Sequence, residues 1–327
     1  MIYDGQTVVE IGELEALART TRHFRQVPST IVGPGDDAAV IAVSDSRFVV
    51  TTDSMVEGRD FRQDYSSGFD VGYKAASTNL ADVAAMGAKP IALVVTLMVT
   101  QTTKISWLED FAKGLQAALD ELSPTAAIVG GDLALADQIV ISVTAHGDLE
   151  GRRPILRSGA KVSDELAVAG TLGKASCGLA LLQHPDKSLA ASYPELISVQ
   201  LRPTPPIQLA VSATNATSML DISDSLAMDA NRLAKASGVC LRIDSSKLAG
   251  YQAVLEQAYQ SILSRGQTTH SPESWVLYGG EDHGFLATFP KGTAPVGFRV
   301  IGEVVAGSGV YLDEKVLEGR GWDSISS

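Results

Sequence analysis

Residues Phe69 to Val99 read FDVGYKAASTNLADVAAMGAKPIALVVTLMV, and this stretch decides the fold class. From Phe69 to Gly87 it is alanine-rich and has no internal glycine apart from Gly72, which predicts a long packed helix. Ile91 to Val99 is the longest apolar run of the chain. It is too short to span a bilayer and reads as a buried strand. A helix feeding a buried strand is a unit of layered α/β architecture. The same helix carries an acid in apolar surroundings. Asn79 and Asp82 are three apart and share one face, among Ala76, Leu80, Val83, Ala84, Ala85 and Met86. An acid on so crowded a helix needs a partner, which favours a functional role over an incidental one.

Working outward, Ile11, Leu14, Leu17 and Ala18 give a first amphipathic helix. A turn at Val32-Gly33-Pro34-Gly35 precedes strands near Ala39–Ala42 and Phe48–Thr52. Downstream come a helix through Trp107–Leu122 and strands at Ala127–Val129 and Ile139–Ala145. Gly147 to Ser158 is polar and rich in glycine and arginine, the best domain boundary. The expected domains are 1–148 and 149–327, and 327 residues suffice for both. The second half alternates strand Glu165–Ala169, helices Ser176–Gln183 and Asp224–Ser237, and strands Val239–Ile243 and Gly284–Phe289. That alternation predicts a second α/β layer structure, with exposed loops at His184–Pro194 and Arg265–Glu273.

A formal net charge of −12 disfavours nucleic-acid or anionic-membrane partners. Cys177 and Cys240 form no zinc spacing, and two isolated thiols fit a reducing cytoplasm. The start, Met1 to Gly5, lacks a basic region and an apolar run, so no secretory signal is read there. Ala169-Gly170-Thr171-Leu172-Gly173-Lys174 lacks G-x-G-x-x-G spacing and reads as a tight structural turn. P-loop, nucleophile-elbow, zinc-helix and EF-hand patterns are missing. His23, His146, His184, His270 and His283 are scattered and read as surface or locally satisfied residues.

Six carboxylate stations remain: Gly35-Asp36-Asp37-Ala38, Thr51-Thr52-Asp53, Asn79-Leu80-Ala81-Asp82, Gly130-Gly131-Asp132, Asp221-Ile222-Ser223-Asp224 and Gly279-Gly280-Glu281-Asp282. The first reads equally as a turn entering a strand. Thr52-Asp53 closes a β-branched strand, where α/β folds bind ligands. Gly130-Gly131 suits close approach to a ligand or a hairpin. Ser223 or Asp224 suits an N-cap as well as a metal site. Two carboxylates ~4 Å apart at an effective dielectric of ~20 repel by about 4 kcal/mol, so convergence of these stations calls for cations. Hard oxygen donors suit Mg²⁺, commonly shared with phosphates. The pattern points to a Mg²⁺-nucleotide site.

Taken in order, the stations resemble the thiamine-monophosphate kinase family, within the superfamily of aminoimidazole ribonucleotide synthetase, selenophosphate synthetase and the hydrogenase-maturation dehydratase. The resemblance runs from Ile11-Gly12-Glu13 to Gly321-Trp322 and is most specific at Val32–Val40, Thr51–Phe61, Lys74–Pro90, Leu156–Gly173, Leu201–Pro205, Asp221–Asp229 and Gly279–Asp282. It implies a cytoplasmic homodimer whose mostly β N-terminal domains share a barrel, a C-terminal α/β domain, and ATP- and Mg²⁺-dependent phosphorylation of thiamine monophosphate. Carried over, Asp37, Thr51, Thr52, Asp53, Asp82, Asp132, Asp221 and Asp224 match metal positions. Gly131, Asp132, Arg157 and Ser223 match ATP contacts, while Asp60, Glu281 and Trp322 match the substrate side. Asp53, Asp82, Asp132 and Arg157 would carry catalysis.

Asp60 stands where the family often has His, Ser225 where it has Gly, Leu133 where Thr or Ser is frequent, and His283-Gly284 where Tyr-Glu is common. The alternatives are an aminoimidazole ribonucleotide synthetase-like enzyme or a non-catalytic paralogue that binds nucleotide or thiamine phosphate. No cysteine precedes Cys177 and none lies at the C-terminal end, against the selenophosphate and hydrogenase-maturation relatives.

Overall fold

The computed structural model describes residues 5–33, 39–267 and 270–322. The chain divides into two compact units, one running to residue 84 with 88–153, the other holding 85–87 and 154 onward. Asp37 and its station lie outside the described residues.

In the first unit, α1 (Val8–Ile11), α2 (Glu13–Thr21), β1 (Thr30–Val32) and β2 (Val40–Ile41) lead to β3 (Phe48–Val56) and α3 (Gly68–Ala85). There follow β4 (Lys89–Val99), α4 (Ile105–Leu122), β5 (Ala127–Leu135) and β6 (Val140–Asp148). The main sheet has the order β3-β6-β4-β5, with β4 and β5 parallel and the other pairs antiparallel. Parallel neighbours need a crossover, and α4 provides it. Ile141, Val143 and Ala145 of β6 are buried, while Phe48, Val50 and Met98 stand exposed.

Within α3 only Phe69 and Asp82 are not buried, the signature of a helix packed all round. Glycines permit that enclosure. A Cβ on Gly72 would lie 2.1 Å from the Phe111 carbonyl oxygen of α4, and a Cβ on Gly114 2.0 Å from that of Phe69. Backbone therefore meets backbone where α3 and α4 cross, which offsets the weak helix propensity of both glycines. Ile105, Leu108, Ala112, Leu115, Leu119 and Leu122 form the buried stripe of α4.

In the second unit, β7 (Glu165–Ala169), α5 (Lys174–Gln183), α6 (Ser188–Ala191), α7 (Pro194–Leu201) and α8 (Ile207–Ser212) precede β8 (Ser218–Ile222) and α9 (Leu226–Ser237). Then come β9 (Cys240–Ile243), α10 (Ser245–Ser264), α11 (Pro272–Tyr278), β10 (Gly284–Phe289), β11 (Arg299–Val305), β12 (Gly309–Leu312) and β13 (Lys315–Val316). The seven-stranded order is β13-β12-β9-β11-β7-β10-β8, and only the β9/β12 pair is parallel. Strand–helix alternation thus yields layers of helix on an antiparallel sheet, because β10 returns from the end of the chain to lie between β7 and β8. One apolar cluster joins sheet and helices through Leu166, Leu220, Leu233, Leu255, Trp275 and Leu286. Among the described residues no helix is long and apolar enough to cross a membrane.

Several expectations change. Residues 184–194 are largely exposed, as expected, but His184 and Leu189 are buried and Ser188–Ala191 is a helical turn. Pro272 already opens α11, shortening the second loop. The twenty-residue α10 went unread, although Leu248, Tyr251, Leu255, Ala258 and Ile262 keep helical spacing and are all buried.

Gly114→Ala is expected to lower the unfolding free energy by about 2–3 kcal/mol through overpacking, seen as a lower denaturant midpoint. A Cβ on Gly130 would meet nothing within 4 Å, so Gly130→Ala should change stability by less than ~1 kcal/mol. Equal losses at the two positions would contradict backbone contact as the constraint.

Candidate active site

The first unit builds its site where β3 meets α3. Side chains alternate along a strand, so Thr51 and Asp53 share one face of β3. Thr51 Oγ1 donates to Asp82 Oδ2 at 3.1 Å. Asp53 sits in mid-strand rather than at a strand end, because β3 runs on to Val56. Its Oδ1 accepts from the Ser54 amide at 2.8 Å. Asn79, the helical neighbour of Asp82, is buried and its Nδ2 donates to the Ala75 carbonyl at 2.9 Å. Its Oδ1 is buried without a hydrogen-bond partner.

Other expected donors lie elsewhere on the sheet. Thr52 takes the opposite face, where its Oγ1 donates to the Val143 carbonyl at 3.0 Å and accepts from Thr144 Oγ1 at 3.2 Å. The register sets Ser54, Ser142, Thr96 and Asp132 in one row across all four strands. Asp132 is therefore on the Thr52 side, away from Asp53. Gly130 and Gly131 form no turn; β5 continues through them to Leu135. A Cβ on Gly131 would lie 2.1 Å from the Val95 carbonyl oxygen, so close strand approach demands that glycine. Asp60 Oδ2 accepts from the Val56 amide at 2.7 Å, closing the turn after β3.

The second unit gathers its candidates at the end of β8. Asp221 is buried, and its Oδ2 lies 3.5 Å from Nδ1 of His283, which is buried too rather than a surface residue. The chain from Gly280 to His283 runs back against Ile222–Asp224. The Glu281 amide donates to the Ser223 carbonyl at 2.8 Å, and the His283 amide to that of Ile222 at 3.1 Å. Glu281 and His283 hold left-handed φ values of 68° and 50°, a strain of ~1–3 kcal/mol each that recurs at functional sites. Glu281 Oε2 accepts from Gln200 Nε2 at 2.7 Å. Trp322 joins the group: its amide donates to the Asp224 carbonyl at 3.1 Å. Arg157 is exposed, and its carbonyl accepts from Ser218 Oγ at 2.9 Å, at the far end of β8 from Asp221.

Neither Ser223 nor Asp224 is the N-cap of α9. Ser225 is, accepting from the Met228 amide at 3.0 Å. Asp224 instead pairs with Arg232 at 2.5 Å, and Arg232 also meets Asp229 at 2.7 Å. Asp229 went unread as a site residue, though it falls within the first turn of a helix that begins at a carboxylate station. Buried to 1% exposure, it accepts from the amides of Asp224 (3.1 Å) and Ser225 (3.2 Å). Burial pushes its carboxyl up to about 6, and the Asp221 charge adds to the rise. Asp282 serves structure: it accepts from Thr171 Oγ1 (2.6 Å) and the Lys174 and Ala175 amides (3.2 and 3.4 Å), capping α5. Burial raises its carboxyl pKa as well.

Among the described residues, no three acidic, histidine or cysteine side chains form a ready metal cage. The donors on hand are hard oxygens: the Asp82 and Asp53 carboxylates and the Thr51 hydroxyl. Mg²⁺ is usually held by one or two carboxylates plus substrate phosphates rather than by a protein cage, so this donor set fits Mg²⁺ in kind.

A model of the AIR synthase related protein N-terminal domain matches residues 35–149. The chain is 39% identical over 326 residues to thiamine-monophosphate kinase of Mycobacterium tuberculosis, spanning 98% of this chain and 94% of the relative. Thiamine-monophosphate kinase from Stenotrophomonas maltophilia K279a superposes with a TM-score of 0.77 at 29% identity, covering 92% of this chain and 95% of that one. AaThiL complexed with AMPPCP and TMP superposes with a TM-score of 0.74 at 29% identity, covering 99% and 100%.

The raised pKa of Asp229 gives a signed expectation. Its ordinary value is 3.8, so its contribution favours the folded state fully below that value and is lost as pH rises through about 6. Asp229→Asn removes this dependence. In EDTA, the stability of the native protein relative to the variant should fall by up to about 3 kcal/mol from pH 4 to pH 7, measured by denaturant unfolding. A flat difference across that range would refute the assignment.

Proposed function

The chain belongs to the thiamine-monophosphate kinase family, and on that premise we propose that it transfers the terminal phosphoryl group of ATP to thiamine monophosphate. The products are thiamine diphosphate and ADP. The 39% identity over nearly the whole chain to a thiamine-monophosphate kinase supports the reaction. Within the site, the Thr51–Asp82 pair carries the reading, because a helix buried all round turns a carboxylate outward at that point toward a threonine hydroxyl.

The acceptor is a phosphate oxygen, largely deprotonated near neutral pH, so the chain need supply no strong base. A bond forms between that oxygen and the γ-phosphorus as the bond to the bridging oxygen of ADP breaks, and no covalent phosphoenzyme intervenes. Such transfers depend on alignment and charge compensation. Asp37, Thr51, Asp53 and Asp82 in the first unit and Asp221 and Asp224 in the second are proposed Mg²⁺ positions, and Thr52 and Asp132 are proposed as metal positions on the opposite face of the sheet from Asp53. When bound, Mg²⁺ offsets the negative charge of the phosphates. Gly131, Asp132 and Ser223 orient ATP, and the Arg157 guanidinium meets its phosphates. Glu281, Trp322 and Asp60 orient the thiamine phosphate, with Glu281 steadied by Gln200.

We propose further that the protein is a homodimer formed through the open face of the four-stranded sheet. Phe48 and Val50 are 55% and 56% exposed on that face of β3, and apolar side chains of this size in a row mark an interaction surface. Asp132 lies on the same face.

Purified protein with ATP, Mg²⁺ and thiamine monophosphate is expected to form thiamine diphosphate, followed by chromatography. Asp82→Asn or Asp53→Asn should lower turnover ~10²–10³-fold while circular dichroism stays unchanged; a variant keeping most of its turnover would sink the assignment. Val50→Asp is expected to shift the sedimenting species from dimer to monomer. A native protein sedimenting as a monomer would remove the dimer proposal.

A further inference from the structure

The structure uses the Ser225 hydroxyl twice. Ser225 is fully buried. Its Oγ accepts from the Met228 amide at 3.0 Å, as the N-cap of α9, and donates to the Arg320 carbonyl at 2.6 Å. The second bond reaches a segment ninety-five residues along the chain. The neighbouring contacts run along the same seam. The Trp322 amide donates to the Asp224 carbonyl at 3.1 Å. A Cβ on Gly321 would stand 2.3 Å from that carbonyl oxygen and 2.6 Å from Ser225 Oγ, so only glycine passes there. Upstream, Asn231 Nδ2 donates to the Leu317 carbonyl at 2.9 Å. The segment from Leu317 to Trp322 is laid along α9, and the Ser225 hydroxyl ties the backbone of Arg320, two residues before Trp322, to the turn that opens that helix.

We propose that Ser225 is a positioning residue: its hydroxyl clips Arg320 to the turn that opens α9 and so sets Trp322 beside Asp224 for the thiamine-phosphate substrate. The substrate half of this inference rests on the proposed kinase reading; the clip itself does not. A glycine in this position leaves the Arg320 carbonyl without the serine donor and removes one tether from the segment that carries Trp322. Capping and clipping separate cleanly, because glycine is nearly as good as serine at an N-cap whereas alanine is poor. A serine that only capped would be felt in Ser225→Ala and scarcely in Ser225→Gly.

Two readouts on the full-length protein decide the matter. The first is acrylamide quenching of tryptophan fluorescence without ligands. Trp107 and Trp275 are 2% and 3% exposed while Trp322 is 39% exposed, so quenching reports Trp322. Ser225→Gly and Ser225→Ala should both raise the quenching constant, by about 1.5–2-fold if the clip restrains a fraying end. The second is steady-state kinetics, where both variants should raise the KM for thiamine monophosphate ~3–10-fold and change kcat and the KM for ATP by less than ~2-fold. Native-like quenching in Ser225→Gly overturns the clip. Raised quenching with a native KM overturns the role in substrate positioning. Should the native protein fail to turn over thiamine monophosphate, the kinase reading falls, and quenching alone still decides the clip.

Discussion

Backbone contact between α3 and α4 is the constraint on which the first unit depends. Without side chains at Gly72 and Gly114, the two helices approach until carbonyl oxygens stand where Cβ atoms would be. That closeness buries α3 on every side except at Phe69 and Asp82. Asp70, in the first turn of α3, is buried against the Ser67 amide and hydroxyl; farther along, a carboxylate avoids a large desolvation cost at a window where it reaches solvent and a hydroxyl partner. Asp82 sits at that window, facing Thr51. The packing of the helices and the chemistry of the site are thus one arrangement: loosening the crossing would let α3 turn and take the carboxylate away from β3.

The second unit solves a different problem, which is holding several acids in a small volume. Asp221, Asp229 and Asp282 are all at most 5% exposed. Each has its own compensation. Asp221 has His283, Asp229 has two amides and Arg232, and Asp282 has a hydroxyl and the amides that open α5. The insertion of β10 between β7 and β8 makes this possible, since it brings Gly280–His283 alongside Ile222–Asp224. The left-handed Glu281 and His283 are stabilised by those backbone bonds, so strain in the loop is offset by the sheet edge it extends.

Much of this is legible in the sequence. Alanine richness and the apolar run predicted α3 and β4 nearly to their ends, and the β-strands at 165–169 and 284–289 match residue for residue. The stations were visible because acids beside glycines and apolar runs are out of place. Their local settings were less legible. Gly130-Gly131 reads as a turn because glycine is common there, yet the glycine at 131 answers to a neighbouring strand that lies far away in the sequence. Asp224 looks like a cap, but the serine that follows takes that role and leaves Asp224 to Arg232. Gln200 carries no local mark, since Glu281 is brought to it only by the fold, whereas Asp229 has partners within five residues and is set apart only by its burial.

The sequence by itself determined the principal strands and helices of the first unit, the strand–helix alternation of the second and the set of acids available for chemistry, because each of these follows from local periodicity, composition and turn chemistry. Only the tertiary structure decided which acids face one another. It put Asp82 against Thr51, set Asp132 on the other side of the sheet from Asp53, and turned Asp282 into a helix cap. The reason is physical: a strand's side chains alternate between faces, and register with distant strands, not local sequence, decides where each face looks.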